Sequence, residues 1–177
     1  MRFEAEHRVR APRAAVAAVL ADPDFYASLR LPDLSLPDVV GHVAGELVVL
    51  RYEYTGHLDP IALRLMGADR PLCWIQEVRL DGDTGGSLAF QADANPSMLH
   101  GDARFTLTEV AGQAERAGQA ERADQAGPEG ACTLRRLEGT VVVGVPVVGA
   151  LAERRIVPGV LARLDVEAAA LAARACP

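Results

Sequence analysis

Lysine is absent from this chain, and all 18 basic residues are arginine. Alanine, by contrast, occurs 31 times. This pairing reads as the codon bias of a G+C-rich genome. Alanine abundance therefore does not count as helix design. An arginine in a pocket is weak grounds for anion binding, because lysine was never the alternative. Cysteine is also scarce: Cys73, Cys132 and Cys176 stand far apart, with no C-x-x-C pair. That excludes a disulfide framework and predicts reduced thiols in a cytoplasmic protein. His7, His42, His57 and His100 are dispersed and form no metal-binding spacing, so no metal or other cofactor is expected. The longest uncharged run, Gly139 to Ala152, has fourteen residues and includes Pro146. It is too short to span a bilayer. The N-terminal segment is charged at alternate positions from Arg2, which predicts no signal peptide. A basic face is missing too. Net charge is −6, and Arg2, Arg51 and Arg79 have acidic neighbours. Nucleic acid is therefore not an expected partner.

What is present is ordinary globular composition, 50% apolar and 24% charged. At 177 residues the chain is expected to form a single domain. It needs no metal or disulfide to fold. Residues 2–10 alternate strictly, with Phe3, Ala5, His7 and Val9 opposite five charged residues. Such alternation predicts a half-buried antiparallel strand. Pro12 opens a helix carrying Val16, Val19 and Leu20. Asp22-Pro23-Asp24 stops it and starts a short second helix from Phe25 to about Leu29, with Asp22 or Asp24 as N-cap. Strands are predicted over 39–44, 46–55, 72–80, 87–93, 102–110 and 132–145. A short helix is predicted after Asp59-Pro60, and a hairpin turn at Gly82 to Gly86. Leu134 and Leu137 fall on opposite parities of the last strand. This predicts either a bulge or one leucine facing solvent.

Residues 111–127 read AGQAER-AGQAER-ADQAG. A polar tandem repeat this short cannot build a core. It reads as an expanded loop between two strands, disordered or frayed. From Val147 to Ala175 the period becomes helical. Val157, Val160, Leu161, Leu164, Ala168, Leu171, Ala172 and Ala175 share one arc, and Arg163, Glu167 and Arg174 another. Pro158 cannot donate to the Arg154 carbonyl, so a kink or a fresh start is expected there.

Most strand connections are too short for parallel crossovers. The expected fold is α+β: a helix-grip, with a strongly curved antiparallel sheet of about seven strands wrapped around the long C-terminal helix. Such a sheet leaves an interior space against its helix, the usual kind of small-molecule site.

The segments RFEAEHRVRAPRAAVAAVLADPDFYASL, PDVV, CWIQEVRLD and VPVVGALAERRIVPGVLARLDVEAAAL resemble a bacterial family named domain of unknown function 2505. That family is similar to the START and birch-pollen-allergen-like superfamily (SRPBCC), which also holds polyketide cyclases. The resemblance covers nearly the whole chain, the 111–127 repeat excepted. It implies the fold and an apolar cavity, and it supplies no catalytic residues.

No nucleophile elbow, metal site or phosphate-cradling loop is found in the chain. The candidate cavity wall is His7, Tyr52, Tyr54, Trp74, Gln76, Phe90 and Phe105 from the sheet, with Val160, Leu164 and Ala168 from the helix. Three functions fit this wall. One is a binding protein for a hydrophobic, lipid- or polyketide-like small molecule. The second is a cyclase- or hydratase-type enzyme using His7 or a tyrosine as acid–base. The third is an interaction module whose groove takes another protein; its oligomeric state is left open. The polar wall residues are equally readable as amphipathic side chains whose tips find partners or water, which favours binding over catalysis.

Deleting residues 112–127 is expected to change stability little, since loop length costs only ~0.6 kcal/mol per doubling. Thermal melting of the deletion variant checks this. A midpoint drop of many degrees would show that the repeat packs on the fold.

Overall fold

The computed structural model describes residues 1–56, 72–111, 131–145 and 149–176. The expected short helix after Asp59-Pro60, and the tandem repeat beyond Ala111, lie outside the described residues. Strand β1 (Arg2–Val9) leads into helices α1 (Arg13–Leu20) and α2 (Pro23–Ser28). Strands β2 (Asp38–Val43), β3 (Leu47–Glu53), β4 (Cys73–Leu80) and β5 (Gly85–Ala92) follow. Two long strands, β6 (Leu99–Ala111) and β7 (Ala131–Val143), precede helix α3 (Gly149–Ala175). The seven strands form one open sheet in the order β1-β7-β6-β5-β4-β3-β2. Every pairing is antiparallel. This is the helix-grip arrangement.

Alternation decides which side of each strand enters the core. Phe3 and Val9 of β1, Val48, Leu50 and Tyr52 of β3, and Trp74, Val78 and Leu80 of β4 are all buried. Ala103, Phe105 and Leu107 of β6 join them. The β4–β5 hairpin closes through Asp81 N–H donating to the Gly85 carbonyl at 2.9 Å. Gly82 takes φ +63 in that turn, a conformation that suits glycine. Gly101 is needed for a different reason: a Cβ there would lie 2.5 Å from the Phe90 ring, its cross-strand partner. The ring lies over the bare backbone.

The two short helices form as local chemistry requires. Pro12 is the N-cap of α1, and its carbonyl accepts from the N–H groups of Ala15 and Val16. Asp22 is the N-cap of α2, accepting from Asp24 N–H at 2.9 Å. Phe25 and Tyr26 are buried, their rings meeting edge-on at 5.0 Å.

Two sequence expectations are corrected. The register of β7 is continuous with both neighbours, so no bulge separates Leu134 from Leu137. Leu134 takes the outer parity between Arg8 and Thr108, yet it is only 9% exposed. The inner parity holds Thr133, Arg135, Leu137 and Val141, all buried. The second concerns the final helix. Of the kink or fresh start expected at Pro158, the fresh start is excluded, because the helix continues through it as one element of 27 residues. Pro158 is exposed, so the lost N–H bond falls on the side where water can satisfy the freed carbonyl.

Helix α3 lies against β1, β7 and α1. Val157, Leu164, Ala168, Leu171 and Ala175 form its buried stripe. Glu153 fastens its first turns by accepting from Val143 N–H at 3.1 Å, which ties the end of β7 to the helix. Leu171 is fully buried, whereas Leu151, one face away, is 55% exposed. Leu171→Ala is therefore expected to cost ~2–5 kcal/mol and Leu151→Ala less than ~0.5 kcal/mol. Urea denaturation of both variants checks the contrast. Equal losses would mean that the helix is seated on another face.

Candidate functional site

The inner face of the sheet is ordered in rows by its register. Tyr52 stands beside Trp74, and Leu50 beside Gln76, which in turn faces Phe90. At the other end His7 stands beside Arg135, and Arg135 beside Leu107. Of the sequence-derived wall residues, Tyr52, Trp74, Phe105, Leu164 and Ala168 are buried. His7, Tyr54, Gln76, Phe90 and Val160 are partly buried. The Tyr52 and Trp74 rings are 6.0 Å apart. His7 is not their neighbour; it belongs to the β1–β7 end.

The sequence reading missed the strongest polar feature. Glu167, grouped with the polar arc of α3, is buried at 4% exposure and faces the sheet. Its Oε1 accepts from Nη2 of Arg135 at 2.7 Å, and Arg135 is itself 1% exposed. The guanidinium also lies 5.4 Å from the centre of the Phe105 ring. Each partner makes the burial of the other tolerable, since an isolated buried charge costs several kcal/mol. Two signals could have found the pair. Arg135 shares parity with Leu137 and Val141 on β7. Glu167 follows Val160 by one heptad, which leaves it only ~20° away on the helix surface.

Four buried side-chain atoms have no hydrogen-bond partner among the described residues: His7 Nδ1, Tyr52 Oη, and Nε and Nη1 of Arg135. All three residues lie on inward parities. His7 has one firm contact, Nε2 to Asp165 Oδ1 at 2.9 Å. An ionised carboxylate only accepts, so Nε2 donates in this contact. Asp165 is exposed, whereas the His7 side chain is 12% exposed.

The phenols report the same electrostatics. Burial first, and the Glu167 carboxylate next, push the Tyr52 phenol well above its usual range; Arg163 opposes them. Tyr26, fully enclosed, is raised by burial and then by Glu167, while Arg135 lowers it. Tyr26 is satisfied by donating to the Leu20 carbonyl at 3.1 Å. Tyr52 keeps its proton, and its hydroxyl has no partner among the described residues.

One turn before Glu167, Arg163 reaches the opposite end. Its guanidinium lies 5.4 Å from the Trp74 ring centre and 5.9 Å from that of Tyr54. Its Nε donates to the Pro32 carbonyl at 3.2 Å. Burial lowers its pKa, against the pull of Tyr54 and Asp33. Consecutive turns of α3 thus hold the two ends: Glu167 at β7, Arg163 at β3 and β4. A groove of about 450 Å³ lies between α2 and the back of α3, lined by Phe25, Leu29, Val166, Ala170 and others. None of the sequence-derived wall residues lines it. Among the described residues no cluster of three or more His, Cys, Asp or Glu could hold a metal ion. No helix among them is long and apolar enough to cross a membrane.

No family model matches the chain, and no curated protein matches it. Solved structures do. The Zhui aromatase/cyclase from Streptomyces sp. R1128 is similar at 14% identity and TM-score 0.57, covering 99% of this chain and 93% of that one. A START superfamily protein from Mycobacterium smegmatis is similar at 15% identity and TM-score 0.53, over 98% and 96% of the two chains. Ara h 8.0201 is similar at 11% identity and TM-score 0.52, over 98% of each. At such identities the likeness is one of fold: the helix-grip fold of START proteins and polyketide cyclases.

The ion pair makes a checkable demand on stability. Arg135→Met alone leaves Glu167 buried without its cation and is expected to cost ~3–5 kcal/mol. Arg135→Met combined with Glu167→Leu should recover most of that loss. Urea denaturation curves for the single and double variants decide it. A single variant as stable as the parent would mean that Glu167 reaches water.

Proposed function

We propose that the chain is a single-domain binding protein for a small apolar molecule, lipid- or polyketide-like, held between the inner face of the sheet and α3. The observation that carries this reading is the set of buried polar atoms without a partner among the described residues, on the inward residues His7, Tyr52 and Arg135. Folded proteins rarely leave such atoms unmet, and a bound ligand is one way in which they are satisfied. The wall we assign to the site is aromatic and aliphatic: Tyr54, Trp74, Phe90, Phe105, Val160, Leu164 and Ala168, with Gln76 as a further polar tip. An apolar wall with a few placed polar groups is the usual make-up of a small-molecule site. The finer kinship, with domain of unknown function 2505, rests on the quoted segments alone. The free cysteines Cys73, Cys132 and Cys176 support work in the cytoplasm.

A second reading has its own observation. Asp165 orients His7 through Nε2 and leaves Nδ1 unpartnered toward the interior. A carboxylate-held imidazole with a free nitrogen is the arrangement of a general base. The fold is also that of an aromatase/cyclase. In this reading His7 moves a proton on a bound hydrophobic substrate. His7→Phe then abolishes turnover while binding is retained; under pure binding it preserves or tightens apolar binding.

Native mass spectrometry of freshly purified protein tests the main reading, with a co-purifying molecule as the expected result. Leu164, at the middle of the helix face, tests its location. Leu164→Trp is expected to stay folded by circular dichroism and to lose binding of Nile red. If that variant unfolds while Leu164→Ala loses ~2–5 kcal/mol, the helix is packed solid on the sheet and the reading fails there.

A further inference from the structure

Helix α3 is apolar on two faces, and the core uses one of them, the stripe of Leu164, Ala168 and Leu171. Residues two apart on a helix are turned by about 200°, so Val166 and Ala170 face away from that stripe. With Ala173 they repeat at i, i+4 and i+7 and form one wall of the groove of about 450 Å³. Phe25 of α2 and Leu29 just after it form the other. The two walls run antiparallel. Arg174 donates to Asp22 at 2.9 Å at one end, and Arg163 donates to the Pro32 carbonyl at 3.2 Å beyond the other. Along α3 the groove extends from Val166 to Arg174, ~12 Å or two helical turns. We propose that it is the docking site for an acidic amphipathic helix of a partner protein. This site is separate from the interior one and does not depend on it.

The lining selects this occupant. An amphipathic helix presents anchors at i, i+3 or i+4, and i+7, over the same two turns that the groove spans. Ala170 and Ala173 are small, so a second backbone can approach closely. The groove is open to solvent, so a small molecule in it would keep much of its surface wet, whereas ligand pockets bury most of theirs. A helix covers the groove with its own bulk. Charge sets the sign of the partner. Ser28, Arg30 and Arg174 are the polar residues of the lining, and no aspartate or glutamate is among them, on a chain of net charge −6. Ser28 donates to the Phe25 carbonyl at 2.9 Å, and Arg174 is held by Asp22. Arg30 is exposed and has no hydrogen bond or ion pair among the described residues. An unmet cation at the edge of an apolar floor favours a carboxylate beside the partner's apolar stripe, and a lysine there would meet like charge.

A synthetic peptide of about 16 residues tests this on the full chain. It is built of alanine, with leucines at i, i+4 and i+7 and glutamates flanking them. One control peptide carries lysine for every glutamate. The other keeps the composition but scatters the leucines round the helix. Amide chemical shifts of the isotope-labelled protein locate the contact, and fluorescence anisotropy gives the affinities. The acidic peptide is expected to shift amides within 25–30 and 166–174. It should bind about threefold or more tighter than its lysine counterpart. That margin should shrink in high salt. The scattered peptide should leave those amides unmoved. Arg30→Glu should turn the preference to the lysine peptide, and Ala170→Glu should abolish binding of the acidic one. The inference is overturned if the acidic and lysine peptides bind alike, if the shifts fall elsewhere, or if neither peptide binds. Octanoate moving these amides where the acidic peptide does not also overturns it, and makes the groove a small-molecule site. The shift measurement uses the unmodified protein, so a poorly folding substitution does not remove the test. Nile red reports on the interior site, and failure there leaves this inference standing.

Discussion

Arg135 and Glu167 meet at 2.7 Å where the sheet and its helix come together. Neither charge could be there alone. The requirement that each satisfy the other fixes more than two side chains: it sets the rotation of α3 about its own axis. It also sets the position of α3 along β7. Leu164, Ala168 and Leu171 flank Glu167 on the helix, and their burial depends on the same rotation. An apolar stripe alone tolerates small slips, because dispersion contacts are individually weak and non-directional. A charge-assisted hydrogen bond in a dry interior does not.

The same helix divides the interior into two unlike ends. Toward β1, β7 and α1 it is packed, and Arg135 meets Glu167 there. Toward β3 and β4 it sends Arg163 over Tyr54 and Trp74. A guanidinium on aromatic faces keeps its charge while covering apolar surface, which lysine does poorly. All basic residues of the chain are arginine, and at positions 135 and 163 the planar fork matters. The unmet donors of Arg135 and Tyr52 then stand on a wall that is otherwise greasy. Arg135 both holds the helix to the sheet and belongs to the proposed site, so weakening one role is expected to disturb the other.

The sheet is open, so its two edge strands need protection from pairing with other chains. Strand β1 carries Arg2, Glu4, Glu6 and Arg8 on its outer face, and Arg136 of β7 donates to Glu6 at 2.8 Å. Strand β2 is short, and its register with β3 shifts between Val39 and Gly41. Val39, Val40 and Val43 are exposed there, so the irregularity and the short length supply what charge supplies at β1.

Much of the fold was legible in the residues. Strict alternation over 2–10 and around Tyr52, Trp74 and Phe105 identified strands, because period two on a half-buried sheet is a local rule. Helical spacing from Val157 to Ala175, Pro12 and Asp22 located the helices for equally local reasons. The absence of room for crossovers made the sheet antiparallel, and one long helix left only one way to cover it. The site was legible only in part. Tyr52, Trp74, Phe105, Leu164 and Ala168 declared themselves by parity or arc. Arg135 and Glu167 did not, since hydropathy assigns each charge to water when read alone. Their burial is a property of the pair, and the two lie 32 residues apart on different elements. The same holds for His7 with Asp165 and for Arg163 with Trp74. Local periodicity determined which elements form and which faces they bury. Only the meeting of α3 with the sheet decided which polar groups go inside, because the energy of a buried charge depends on the partner that tertiary packing brings to it.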